Sequence, residues 1–506
     1  MRVRKDIMLA GALCGVVCLP LPGYAGPLYE SESVLLSLQG YFRNDLVSFS
    51  NTVDLDSSNR DDKTTYLGID YSIGTLLEFK NEGPKLYLKL ERNGPTDYDA
   101  PLFVHNALMT SGGIIERYRN DELLPQVEEF WIDMPLSGIA RLKTGLYTYA
   151  VGNGLSLNGS YENFGASLYK ESEHLSWRFY YCRPDVVYKN HLGPRIRQDE
   201  EQGVVYNHNA SNFFAADLKY TADENTFWPY VGVLSDYTSS GKRNNKFTTP
   251  VKRDILGTFG LGFTREDKAY VFRTEFAHNF GEAQSADPAY KDIAHTGYLF
   301  YADIDYMLNK FIPTAGILIS SGNKVTPEMA QDSTVAGSKN RAFSCFSPLN
   351  NNLGDSLGHC HTDLRPIVAS GAGYGLNYGV PRPGTFASSD LDNLIMPSVG
   401  FDYNATDKLT VGLYGFYLRS FTRPVGTLDG QARYLSRELG YEADIYIDYQ
   451  ATKEVLVSVL GGYFIPGRYY KEHRDDAAGS LLSPFVRGDG SADPAFQLEL
   501  AVEITF

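Results

Sequence analysis

The sequence predicts an all-β fold, a closed antiparallel transmembrane β-barrel of about 16 to 18 strands with long extracellular loops. Three observations point there: a C-terminal segment of strict apolar/polar alternation ending on Phe506, a Tyr-rich composition of negative mean hydropathy, and an export signal with no later membrane helix.

The N-terminus carries Arg2, Arg4 and Lys5, then an apolar run over residues 7–19, then Gly23-Tyr24-Ala25 before Gly26. This is the pattern of a signal peptide, residues 1–25, cleaved after Ala25. Neither Cys14 nor Cys18 follows the small residue that a lipoprotein cleavage site needs. No later stretch reaches the ~18 uninterrupted apolar residues of a membrane helix. Removing the signal leaves 481 residues, expected to form a single outer-membrane barrel domain over 26–506. The chain has 36 Tyr against 3 Trp, with 21% charged residues. Only every second residue of a barrel strand meets lipid, so such a strand tolerates this polarity where a membrane helix does not.

The strands are read from period-two alternation, because successive side chains of a strand point to opposite faces. Leu86, Leu88 and Leu90 oppose Lys85, Tyr87, Lys89 and Glu91. Leu142, Thr144, Leu146 and Thr148 oppose Arg141, Lys143, Gly145 and Tyr147. Phe272, Thr274 and Phe276 oppose Arg273 and Glu275; Phe300, Ala302, Ile304 and Tyr306 oppose Asp303 and Asp305. Ala443, Ile445 and Ile447 oppose Glu442, Asp444, Tyr446 and Asp448. The last strand sets Phe496, Leu498, Leu500, Val502, Ile504 and Phe506 against Gln497, Glu499, Ala501, Glu503 and Thr505. A soluble sandwich would show the same alternation with its charged face outward; the export signal, the terminal Phe and the Tyr content favour the membrane version.

Turn-rich tracts separate the strands. The two longest, about 93–126 and 323–393, are expected to be extracellular loops, the first with a helical turn near 114–118. The formal charge of −15 becomes −17 once the signal's three cations and one anion are removed. No basic footprint for nucleic acid exists. Cys345 and Cys360, separated by 14 residues, would close a loop by a disulfide in an oxidising compartment, worth about 3 kcal/mol. Cys182 is left over at a strand end. His359-Cys360-His361 lacks convergent partners for a metal, and Gly371-Ala372-Gly373-Tyr374-Gly375 lacks the helix and Lys-Ser/Thr of a phosphate loop. No Gly-x-Ser-x-Gly elbow selects a nucleophile. No catalytic residue, metal or cofactor is expected.

Four segments resemble the alginate export family of outer-membrane porins. They are VEEFWIDMPLSGIARLKTGLYTYAVGNGLSL over 127–157, Ile319-Ser320-Ser321-Gly322-Asn323, the FSPL-containing stretch over 343–358, and Leu439-Gly440-Tyr441-Glu442-Ala443-Asp444 followed by Gly462-Tyr463-Phe464-Ile465-Pro466-Gly467. Gly145-Leu146-Tyr147 stands where the family tends to have Gly-Arg-Gln, and Asn323 where it tends to have Asp. The resemblance implies an 18-stranded monomeric barrel with a narrow lumen. It also implies Arg and Lys side chains that attract a polyuronate and carboxylates that hold them in place.

A path for an acidic sugar needs fixed cations, because a desolvated carboxylate costs several kcal/mol (roughly) unless paired. Lys89, Arg141, Lys143, Arg178 and Arg273 have lumen parity; Glu91, Glu275, Glu442, Asp444, Asp448, Glu499 and Glu503 would pair with them or favour cations. The expected function is a passive channel for an acidic polysaccharide or its oligosaccharides. A general or cation-preferring porin is the transport alternative, and an outer-membrane hydrolase the alternative from another class. Expected partners are outer-membrane lipid, the acidic sugar, and the assembly machinery that recognises the terminal aromatic.

Overall fold

The computed structural model describes residues 26–51, 64–92, 109–110, 113–114, 126–152, 154–183, 211–236, 251–286, 288, 291–328, 339–343, 393–428, 431–472 and 492–506. Residues 1–25, where a signal peptide is expected, Cys345, Cys360 and residues 359–361 and 371–375 lie outside these. So do residues 344–358 of the third resembling segment.

Eighteen strands make the wall: β1 (Val34–Ser50), β2 (Thr64–Phe79), β3 (Lys85–Arg92), β4 (Gln126–Leu136), β5 (Ala140–Ala150) and β6 (Asn158–Lys170) come first. Next are β7 (Leu175–Cys182), β8 (Ser211–Ala222), β9 (Asn225–Asp236), β10 (Val251–Glu266), β11 (Tyr270–Ser285) and β12 (Tyr298–Tyr306). The last six are β13 (Phe311–Ser320), β14 (Leu394–Thr406), β15 (Leu409–Ser420), β16 (Glu438–Gln450), β17 (Val455–Pro466) and β18 (Ala495–Thr505). Each pairs antiparallel with its sequence neighbours, and β18 returns to β1 from Tyr41↔Thr505 to Ser50↔Phe496. The sheet is closed, so the strands hydrogen-bond to one another all the way round and none stands at an open edge of the wall. Below Phe506 the N-terminal strand Gly26–Glu30 takes over the edge of β1, pairing with Leu35 to Leu38.

One end of the barrel has short connections. Asn81 and Glu82 there have φ of 61° and 60°, and Ser137 and Gly138 have 51° and 70°. Asn81 and Glu82 lie among the four residues between Phe79 and Pro84, and Ser137 and Gly138 among the three between Leu136 and Ala140, where left-handed residues close short hairpins. The opposite end carries the long connections, which in this architecture are extracellular.

The outer wall is apolar at its middle, with Phe259, Phe276, Ile304, Val399 and Leu413 exposed. Toward the short-turn end the exposed outer residues become Tyr220, Tyr306, Tyr403 and Tyr449. Tyrosine gathers there because its ring tolerates lipid and its hydroxyl wants water, giving an interfacial girdle.

In the long-connection half the interior holds two apolar clusters. One joins Leu299, Leu318, Met396, Phe416, Leu460 and Phe464 with Leu155, Phe343 and Leu435 from connecting segments. It also takes Tyr469 and Tyr470 of a short helix, α1 (Arg468–Glu472). Tyr469 is wholly enclosed, and burial pushes its phenol well above the ordinary value. The other cluster joins Tyr147, Tyr149, Tyr180, Tyr230, Leu234 and Leu256 with Val151 and Leu157. Chain therefore folds inward at this end.

Of the expected helical turn near 114–118 only Ile114 is described, and there Gly113–Ile114 pairs antiparallel with Met109–Thr110. Ile114 is β-branched and sits beside Gly113 in a tight reversal, a local preference for strand that a periodicity reading misses. Residues 115–118 lie outside the described residues.

Candidate functional site

The interior face of the wall carries a belt of charge below the apolar clusters. Alternation alone put Lys89, Arg141, Lys143, Arg178 and Arg273 on one parity of their strands, and the structure turns all five away from the outer wall.

Four of the five meet carboxylates from their own or an adjacent strand. Lys89 pairs with Glu91. Arg141 Nε donates to Asp133 Oδ1 at 2.9 Å, and its other nitrogens reach the carbonyls of Glu82 and Gly83 at 3.3 and 3.0 Å. Arg178 Nε donates to Asp217 Oδ2 at 3.0 Å while its guanidinium lies 4.2 Å over the Tyr149 ring. The same Asp217 accepts from Tyr149 Oη and Trp228 Nε1, both at 2.9 Å. Arg273 forks onto Asp305 at 2.6 and 2.8 Å and reaches Asp303 at 3.2 Å. Thr314 Oγ1 donates a further hydrogen bond to Asp305, and Tyr301 one to Asp303. Planar guanidinium matches carboxylate, and the extra donors occupy the remaining lone pairs, which is what a charge needs away from bulk water.

Lys143 differs. Its ammonium sits 4.0 Å from the Trp131 ring and 4.4 Å from the Tyr147 ring, with no described carboxylate at ion-pair distance. Two aromatic faces stabilise its charge without neutralising it.

A sixth cation went unnoticed in the sequence. Arg43 joins Asp45 at 2.6 Å, Glu499 at 2.5 Å and Glu503 at 3.9 Å, tying β1 to β18 where the barrel closes. Beside it, Tyr41 Oη lies 2.9 Å from Asp70 and 2.8 Å from Glu91. The alternation Gln39, Tyr41, Arg43, Asp45 was the signal available, interrupted by the polar Asn44 on the outer parity.

The depth of each partner decides what the lumen sees. In these pairs Arg43, Lys89, Arg141, Arg178 and Arg273 keep 18–29% of their side-chain surface exposed, and their carboxylates only 0–16%. The carboxylates lie against the wall with the cationic heads in front of them.

On the other side of the interior, β14 to β17 offer carboxylates and tyrosines. Asp402 accepts from Tyr414 Oη at 2.6 Å and from Tyr446. Asp448 accepts from Ser458 Oγ at 2.7 Å, and Glu442 and Asp444 are buried on the same face. Glu275 lies apart from the belt. It is fully buried and accepts from Ser156 Oγ at 2.8 Å and Tyr230 Oη at 2.5 Å. Ser156 belongs to residues 151–157, the connection from β5 to β6, which therefore crosses the interior to reach β9 and β11. A Cβ at Gly152, whose φ is +59°, would come within 2.8 Å of Glu275 Oε2.

The motif Ser321-Gly322-Asn323 has a clasping role. Asn323 Oδ1 accepts the backbone N–H of Arg341 at 2.7 Å and of Ala342 at 3.2 Å, and its Nδ2 donates to Asn340 Oδ1 at 2.9 Å. Asn340 in turn contacts buried His295, whose Nε2 is 2.7 Å from Asp254. This chain of amides holds residues 339–343 against the wall and seats Phe343 among the apolar side chains. Asn323 supplies the same backbone-accepting oxygen that an Asp would. Cys182 ends β7, buried beside Tyr180 and Phe213.

A closed antiparallel barrel of eighteen strands, with an apolar wall, an aromatic girdle and a charged interior, is an outer-membrane barrel in the size class of porins. The chain resides in the bacterial outer membrane. No family model matches the sequence, and no curated protein matches it. Among solved structures it is similar to OccK8 (OprE) of Pseudomonas aeruginosa, with 10% identity over 93% of this chain and 98% of that one and a TM-score of 0.49. The outer membrane protein OpdK of the same organism gives 9% identity, 95% and 100% coverage and a TM-score of 0.49. OccK11 (OpdR) gives 12%, 93% and 96%, and 0.44.

Proposed function

We propose that the barrel is a passive porin channel for an acidic polysaccharide or its oligosaccharides, without cofactor or energy source. One observation carries the reading: in the belt's ion pairs the guanidinium and ammonium heads front the lumen while their carboxylates are set behind them. A permeating carboxylate meets cations, already neutralised enough to be stable there, yet oriented to exchange one oxygen partner for another. Lys143 adds a charge with no carboxylate in front of it. The resemblance of four segments to alginate export porins agrees with this chemistry.

A second reading, a general or cation-preferring porin, is favoured by the carboxylate sector of Asp402, Asp444 and Asp448. Planar-bilayer recording separates the two. Under a salt gradient the reversal potential should report anion preference, and uronate oligosaccharides should block current more than neutral ones of equal length. Cation preference without uronate block overturns the acidic-sugar assignment and supports the second reading.

A further inference from the structure

A separate cationic site lies on the outside of the barrel. The outer face of β15 runs Leu413, Gly415, Tyr417, Arg419 toward the extracellular end, and its apolar lower part gives way to charge at Arg419. Beside it on β16, Tyr441 packs on Tyr417 with ring centroids 4.9 Å apart, above exposed Ile445. The connection between these strands brings Arg423 and Arg437 to the same spot, and α1 brings Arg468. Together they line a cavity of about 480 Å3 with Glu438 and Glu472, four guanidiniums against two carboxylates.

The pairing inside this cavity is incomplete. Arg468 is matched by Glu472 at 2.5 Å, and Glu472 also accepts the backbone N–H of Ser436 at 2.6 Å. Arg437 donates to the carbonyls of Ser420, at 2.8 Å, and Phe421. Arg423 lies 5.3 Å over the Tyr434 ring. Arg419 is exposed, and neither it nor Arg423 has a described carboxylate at ion-pair distance. Burial and the charge of Arg419 both hold Arg437 below the ordinary arginine value, so an anion placed between them would relieve repulsion as well as accept hydrogen bonds.

We infer that this cavity docks the phosphate of a phosphorylated glycolipid in the outer leaflet, with its acyl chains along the apolar wall below. Two features select that ligand over a soluble anion. Tyr417 and Arg419 have the outward, lipid-facing parity, and the guanidinium cluster continues directly into an exposed Tyr and Ile surface suited to hydrocarbon. Arginine forks match phosphate oxygens in pairs, which a point charge does not. The site is independent of whatever the lumen conducts.

The test is native mass spectrometry of the purified full-length barrel in detergent, titrated with bis-phosphorylated lipid A, with its dephosphorylated form and with inorganic phosphate. Phosphorylated lipid A should bind at least about tenfold more tightly than the dephosphorylated form, and R419Q/R423Q should remove that preference. Equal binding of the two lipids by the unmodified barrel overturns the proposal without needing any variant. An unchanged preference in a variant that still migrates as a folded barrel also overturns it. Displacement of the lipid by millimolar inorganic phosphate, or by uronate oligosaccharide, would assign the cavity to a soluble anion and overturn the lipid docking.

Discussion

At the scale of single residues, two cations on one face of β5 do different things. Arg141 is bound to Asp133 and to two carbonyls of the β2–β3 turn, so it staples one hairpin to the next. Among the described residues, Lys143 two residues on is held by the Trp131 and Tyr147 rings, with no carboxylate at ion-pair distance. Parity made both legible as interior residues, but their partners come from strands and turns remote in sequence, so alternation could not tell staple from free charge. Replacing Arg141 with Gln strips the ion partner from Asp133, which keeps Tyr169 as a donor, and should destabilise by about 1–3 kcal/mol. The readout is a lower temperature for the unheated-to-heated gel shift. Lys143→Gln forfeits two cation–π contacts, together about 1–2 kcal/mol because the lysine is partly solvated. It should lower that temperature no more than Arg141→Gln does, while reducing anion preference in bilayers; an unaltered reversal potential would remove Lys143 from the permeation path.

At the scale of elements, the strands were legible and the inward connection was not. Period two survives in nearly every strand because one face meets hydrocarbon and the other meets charge, and each face constrains its own residues. Residues 151–157 give no such periodic signal, since Gly152, Asn153 and Gly154 dominate the pattern. The overlooked signal is Leu155 and Leu157, both essentially buried, which have no reason to be apolar in a solvated loop. Asn153 itself lies outside the described residues. If this segment narrows the lumen, Gly152→Val should enlarge single-channel conductance, because the new side chain collides with Glu275 and Tyr230 and strains a φ of +59°. Conductance equal to the unmodified channel would mean that the segment does not limit flow. The lipid face offers a complementary test on β14. Val399 is 65% exposed near the middle of its strand, so Val399→Arg should lower stability by about 2–4 kcal/mol if it sits at the bilayer midplane. The same substitution in a water-exposed wall would change little, and refolding into bilayers against urea measures the difference.

At the scale of the whole molecule, stability depends on closure. In an open sheet of this length two rows of N–H and C=O groups would face hydrocarbon, each unsatisfied group being unfavourable by several kcal/mol (roughly). Here β18 covers ten positions of β1, Tyr41 to Ser50, and the seam is locked twice more. Phe506 and Gly40 exchange backbone hydrogen bonds at 2.9 and 2.8 Å, and Arg43 spans the joint to Glu499 and Glu503. The C-terminal alternation that marked the chain as a barrel is thus also the strand that completes it. Deleting residues 495–506 leaves β17, and β1 from Tyr41 to Ser50, with a bare edge, and no other described strand stands next to either stretch, since Gly26–Glu30 reaches only Leu35 to Leu38. The truncated chain should show no difference in migration between unheated and boiled samples and should be cleared by protease, whereas the full chain should show the difference and survive protease. A milder change separates pairing from charge: Arg43→Met keeps every backbone bond of the seam but leaves three carboxylates together. It should still give a folded, heat-shifted band, at a lower transition temperature that rises when salt screens their repulsion. A truncated chain that kept a heat-sensitive compact band would mean that the barrel closes by another pairing, and β18 would lose the role its register gives it.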